Sequence, residues 1–225
     1  MNRRHNATLA LLTLAIFSLA CSLLSFGGAR LVVVPITDPG PDLLRELMPQ
    51  ARDVIARRLD KAGLKADVSV VGDGEKIQIE VDDEKDIPAA TTLATQRGLL
   101  ELFPLGADPR PVGSRVPDDF TPVLGSEDVA EAVVTLDQFG HSQVAVTFSP
   151  HGAEVLARFT ETYPDSYLGI AVDRVLLIAP KVMEPITGGK AVITDPNFTP
   201  ESALLLAAQI SSGPLPLPLM LAPNP

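Results

Sequence analysis

Between Leu31 and Phe103 the chain alternates between two hydrophobic periods in a fixed order, and few folds accommodate that order. Leu31-Val32-Val33-Val34-Pro35 is a short apolar run closed by proline, and Asp38-Pro39-Gly40-Pro41 separates it from the next periodic segment. From Asp42 to Leu64 the apolar positions Leu43, Leu44, Leu47, Ala51, Val54, Ile55, Leu59 and Ala62 recur at three- and four-residue steps, with Arg52, Arg57, Arg58 and Lys61 on the opposite face. Gly63 stops this helix. Val68 and Val70, then Ile77, Ile79 and Val81, alternate on either side of Gly72-Asp73-Gly74, which predicts a hairpin. Asp86-Ile87-Pro88 opens a second helix with an acidic cap and proline in its first turn, running to Arg97-Gly98, and Leu99-Leu100-Glu101-Leu102-Phe103 reads as one more strand. Strand, helix, strand, strand, helix, strand is the split βαβ order. The sequence therefore predicts an α+β fold with a ferredoxin-like layer, one antiparallel sheet carrying both helices on one face.

Pro104 to Pro122 holds five prolines in nineteen residues and predicts a linker. A second α+β module is expected from Val123. In it, Gly125-Ser126-Glu127-Asp128 caps a short helix, Ala132–Leu136 and Gln143–Phe148 pair around Gln138-Phe139-Gly140-His141, and Ser149 caps a helix to Tyr163. Leu168–Val172 and Val175–Ile178 form a hairpin around Asp173-Arg174, and Val182–Ile186 and Lys190–Thr194 flank Gly188-Gly189. Thr199-Pro200-Glu201-Ser202 opens a last helix. Leu215, Leu217 and Leu219 then alternate with Pro216 and Pro218, which cannot donate to a ladder, so this strand is expected at a sheet edge. The two crossings, Pro104 to Pro122 and Ala179 to Pro185, are expected to act as a hinge.

Arg3, Arg4 and His5 precede Ala7 to Phe26, 20 residues without a charge and long enough to span a bilayer. The basic flank places the folded part outside the cytoplasm. Two anchors fit: an uncleaved helix, or a lipoprotein signal peptide in which Phe17-Ser18-Leu19-Ala20-Cys21 is cleaved and Cys21 carries the lipid.

Composition and motifs narrow the chemistry. A net charge of −10 argues against a phosphate-binding surface, and the absence of Trp removes the best stacking platform for bases or sugars. A single Cys excludes an intramolecular disulfide and a cysteine zinc site. His141 and His151 have no ligand or acid-base partner at a useful spacing, so both read as surface histidines. Asp82-Asp83-Glu84-Lys85-Asp86 lacks the alternation of a calcium loop and reads as a helix-capping turn. Gly188-Gly189 lacks the context of a phosphate loop and reads as a hairpin turn, and no Gly-x-Ser-x-Gly elbow is present. No catalytic, cofactor or metal site is expected, and the chain is not expected to be an enzyme.

Several stretches resemble the SecD family, membrane subunits of the bacterial Sec translocase, in their first periplasmic domain. Val54 to Leu64, with its arginines and terminal glycine, is similar to the SecD helix, and Glu75–Val81 and Gly98–Phe103 are similar to strands of its base. Pro122 to Val129 and Ile170 to Lys181 resemble its head, and Glu184 to Gly189, Asn197 to Ala203 and Ser212 to Leu219 resemble its end. The resemblance implies an anchor or signal segment over residues 1–28 and a ferredoxin-like base over 29–105. It further implies a linker over 106–122, an inserted head over 123–195, and a return helix and terminal strand over 196–225. It implies protein transport without catalysis or cofactor: a membrane-tethered, extracytoplasmic domain that binds unfolded or extended preprotein, beside membrane subunits of the translocon. In the family five further membrane helices come after this domain, whereas this chain stops at Pro225, so proton-driven work is expected of a partner. Leu215, Leu217 and Leu219 are the expected client-binding edge. The alternative is an envelope lipoprotein or scaffold that reuses the fold.

Overall fold

Alternating Leu31 and Val33, and Ile77, Ile79 and Val81, each put one face of a strand out of water, and those faces meet in one sheet. The computed structural model describes residues 28–223. Its first sheet has the order β11-β1-β3-β2, from β1 (Ala29–Pro35), β2 (Ala66–Val71), β3 (Lys76–Val81) and β11 (Leu219–Leu221), every pair antiparallel. The helices α1 (Pro41–Lys61) and α2 (Ile87–Thr95) cover it, burying Met48, Ile55, Leu59 and Leu93 against the strand residues. Each such aliphatic side chain contributes about 1.5–3 kcal/mol on leaving water. The expected acidic cap of α2 is displaced by one turn. Asp86 makes no side-chain cap bond, and Asp83 instead accepts the Lys85 N–H (3.0 Å) in a short 3-10 turn ahead of the helix.

The strand expected to close this layer lies elsewhere. β4 (Leu100–Gly106) joins a second sheet of order β5-β4-β8-β9, with β5 (Leu124–Gly125), β8 (Tyr167–Val172) and β9 (Val175–Ile178). The edge position beside β1 goes to β11, more than a hundred residues further along, where Val33, Val34 and Pro35 stand opposite Leu221, Met220 and Leu219. Of the proline-spaced stretch, only its end is strand.

A third sheet, β10-β7-β6, comes from β6 (Val129–Leu136), β7 (Ser142–Phe148) and β10 (Lys190–Ile193). The expected hairpin across Gly188-Gly189 does not form, because Val182–Ile186 makes no strand and β10 pairs with β7. The helix α3 (Pro150–Thr162) starts at Ser149, whose hydroxyl accepts the Gly152 N–H (3.1 Å). The helix α4 (Pro200–Ser212) starts with a capping box between Thr199 and Ser202. Leu100, Leu102, Val144, Val146, Leu156 and Ile170 make the second core, and α4 serves both, giving Ala208 to the first and Ala203, Ala207 and Ile210 to the second.

The segment expected to be a linker packs as a lid. Val116 is fully buried with Phe103, Leu105, Ala171 and Leu176 in a third, smaller core, and Phe120 lies against it. Gly113 N–H donates to Leu176 O (2.8 Å), Leu176 N–H to Ser114 O (2.9 Å) and Val116 N–H to Arg174 O (2.8 Å). The Arg174 guanidinium donates to the carbonyls of Pro117 and Phe120 and lies over the Phe103 ring. A proline-rich stretch can pack when backbone groups find partners, as those of Gly113, Ser114 and Val116 do here. The second expected crossing is tied down too: Val182 N–H donates to Ser166 O (2.8 Å), Leu168 N–H to Pro180 O (3.0 Å), and Lys181 pairs with Asp165 (2.7 Å).

Candidate functional site

The chain passes between its two main cores at Gln96–Leu99 and at Gly213–Leu215, and one side chain holds both passages. Arg58, fully buried on α1, donates Nη1 to the carbonyls of Leu93 (2.9 Å) and Gln96 (2.7 Å), and Nη2 to those of Arg97 (2.6 Å) and Gly213 (2.9 Å). The last carbonyls of a helix lack intrahelical donors, and the guanidinium fork meets that need at the ends of α2 and α4 together. Burial pulls its pKa down to about 10, opposed by the Asp173 charge, so the group stays cationic at neutral pH. Gly98 leaves room for it: its φ is +72°, and a Cβ there would strike the Arg58 guanidinium. Arg57 and Lys61 reach the carbonyls of Ser212 and Ser211 (3.2 Å each), and Gln209 donates to Gln96 Oε1 (2.8 Å). Three basic residues of α1 thus fix the C-terminal end of α4.

What α4 faces is the core side of the third sheet. Leu204, Ala207, Ala208 and Ser211 fall on one face of α4, and with Lys61 and the β6 residues Glu131 to Val134 they line a cavity of about 380 Å³. Small alanines on the helix leave this space. Among the described residues β6 is an edge strand, paired only with β7. Ala132 and Val134 turn to the second core, while Val133 and Leu136 are exposed at 41% and 65%.

The other sheet edges are blunted, as exposed edges usually are. Residues 113–115 bond to β9, β5 has two residues, β11 is flanked by Pro218 and Pro223, β2 carries Asp67 and β10 starts with Lys190. β6 is the longest of these edges and runs from Ala132 to Leu136 without a charge. Such an edge offers unpaired backbone donors and acceptors to an extended chain, with apolar space on one side.

The remaining polar clusters make local contacts. Glu101 is buried on β4, and desolvation pushes its carboxyl up despite Arg174 at 3.7 Å. Asp173 accepts the N–H groups of Gly98 (3.1 Å) and Leu99 (2.8 Å). His151, largely exposed, meets Asp128 at 2.7 Å, a hydrogen bond that raises the imidazole pKa. His141 sits 3.1 Å from Asp137 in the β6–β7 turn. Among the described residues no three His, Cys, Asp or Glu side chains gather as a metal site.

The residues expected to matter fare differently. Cys21 and the apolar run lie outside the described residues, and no described helix is long and apolar enough to cross a membrane. Leu215, Leu217 and Leu219 are buried at 0%, 6% and 2% in the first core, so their side chains cannot meet a client. Their alternation marks a core face. The sequence pattern shows β6 only as half of a hairpin, although its uncharged stretch from Ala132 to Leu136 is the available signal.

Comparison with known proteins gives a consistent relation. Residues 108–217 match the family model described as SecDF, P1 head subdomain. Protein translocase subunit SecD of Dictyoglomus turgidum is 28% identical over 199 residues, which cover 88% of this chain and 46% of that protein. Protein translocase subunit SecDF of Thermus thermophilus is 29% identical over 222 residues, covering 87% and 30%. The chain thus spans less than half the length of these relatives. A crystal structure of SecDF in a super-membrane-facing form superposes with a TM-score of 0.74 at 28% identity, covering 87% of this chain and 30% of that one. A second SecDF structure, described as that of a membrane component that enhances protein export, gives 0.70 at 28% identity and covers 88% of this chain and 99% of that one.

Proposed function

We propose that this chain, a relative of the SecD family through the periplasmic domain it shares with those proteins, is a membrane-tethered, extracytoplasmic binding module that holds extended preprotein segments during Sec-dependent export. In this reading the first sheet with α1 and α2 is a ferredoxin-like base whose fourth strand is β11, and the second and third sheets with α3 form the head. Residues 1–28 supply the anchor, as a helix or through lipid on Cys21, and the membrane subunits of the translocon are the partners. The domain works by binding and carries no catalytic step.

The observation that carries this reading is the uncharged free edge of β6 beside the groove under α4. Backbone pairing on an edge is indifferent to most of the client sequence, which suits a protein that meets many clients. The test is to titrate the full chain in detergent with an unfolded secretory protein, and to compare export in cells with and without the gene. Weak, reversible binding and slower export on deletion are expected. Absence of binding together with unchanged export would discard the reading in favour of an envelope scaffold.

A further inference from the structure

The β6 edge has ends as well as a middle. Glu131 and Asp137 bracket the uncharged stretch Ala132 to Leu136, six positions apart and so about 20 Å along an extended chain. Glu131, Val133 and Thr135 share one phase of the strand, where the register sets Glu131 opposite Thr147 and Val133 opposite Ala145; Glu131 and Val133 are exposed, the Thr135 hydroxyl is buried, and Asp137 continues the same phase into the turn. Ala132 and Val134 stand on the groove face with Leu204, Ala207 and Ala208. Among the described residues Glu131 makes no ion pair, and Asp137 is engaged only with its own turn, at Phe139, His141 and the His141 ring.

Resting on the client-binding reading above, we propose that the β6 site selects extended segments of five uncharged residues flanked on both sides by a cation. A strand added beside β6 keeps facing residues on the same side. Residues one and three of the segment then face the groove, where the cavity suits small or branched apolar side chains, and residue five lies beside the exposed Leu136. Residues two and four lie on the opposite face, residue two beside the exposed Val133, and the flanking cations meet Glu131 and Asp137.

Three blocked, fluorescently labelled peptides test this against the full chain in detergent by polarisation: Lys-Val-Thr-Val-Thr-Val-Lys, the same core flanked by two Asp, and Lys-Val-Thr-Val-Thr-Val-Lys with every backbone amide N-methylated. The first should bind at least about fivefold more tightly than the second, the factor given by two exposed charge pairs of roughly 0.5 kcal/mol each. The third should fail to bind, because strand addition needs its N–H groups. The double variant Glu131→Gln, Asp137→Asn should remove the preference between lysine and aspartate flanks while leaving the N-methyl effect, with far-UV circular dichroism confirming an unchanged fold. Equal affinity for the two flanks, discrimination that survives the double variant, or full binding of the N-methylated peptide would each overturn the proposal. If an unfolded secretory protein still binds under any of those outcomes, selection at β6 fails and the client-binding reading stands; if it does not bind and export is unchanged on deletion, both fail.

Discussion

Replacing Arg58 by methionine is expected to cost the fold about 4 kcal/mol and to lower its melting temperature by roughly 10 °C. Methionine fills much of the same volume but leaves the carbonyls of Leu93, Gln96, Arg97 and Gly213 without their donor. Each hydrogen bond to a charged group is worth about 1.5–3 kcal/mol, and relief of the buried guanidinium's desolvation returns part of the sum. Arg58→Lys should fall between, since an ammonium cannot reach both passages with a planar fork. Arg57→Met is the internal control. It loses one longer bond to Ser212 O and should cost under about 1 kcal/mol. Thermal and urea unfolding of the three variants gives the ranking. If Arg58→Met were as mild as Arg57→Met, the two passages would be held by packing alone.

Val116→Asp should have the next largest effect, about 3 kcal/mol or more, and it should be local. The new carboxylate would lie among Phe103, Leu105, Ala171 and Leu176, and the nearby Arg174 guanidinium is already held by the Pro117 and Phe120 carbonyls over the Phe103 ring. Detaching residues 107–122 relieves that strain while the first core stays intact, so the segment should open before the rest unfolds. Trypsin reports this at Arg115, which in the folded chain lies bridged to Val175. Rapid cleavage after Arg115 is expected in the variant and slow cleavage in the wild type. Equal, fast cleavage in both would mean that the stretch is a loose linker after all.

What was legible in the sequence was local. The α3 helix with its Ser149 cap, the β6–β7 and β8–β9 hairpins and the amphipathic α1 rest on contacts a few residues apart, and each stands where the periodicity put it. The choice between β4 and β11 as the fourth strand of the first sheet was not local. Leu99–Phe103 and Leu215–Leu219 are both apolar strand-like runs, and what decides is which one can reach β1 while the other pairs with β8. Proline content misled at Pro104–Pro122, because counting prolines says nothing of whether Val116 and Phe120 have a sheet face to cover.

The same limit hid the candidate site. Alternation along Ala132–Leu136 marks a strand, but its position at an edge depends on the absence of any strand on its far side, which is a property of the whole topology. Leu215, Leu217 and Leu219 gave the stronger edge signal through their prolines, and β11 does lie at the end of its sheet. Their side chains nonetheless point into the core, so proline reports backbone availability and not which face is free.

The central claim is that an extended client adds to β6, and amide hydrogen exchange of the full chain tests it most directly. With saturating unfolded secretory protein, alternate amides of Val129–Leu136 should slow strongly, while those of β2 and β11, the edges of the first sheet, keep their free rates. Unchanged exchange across β6 together with new protection at either of those edges would contradict the account.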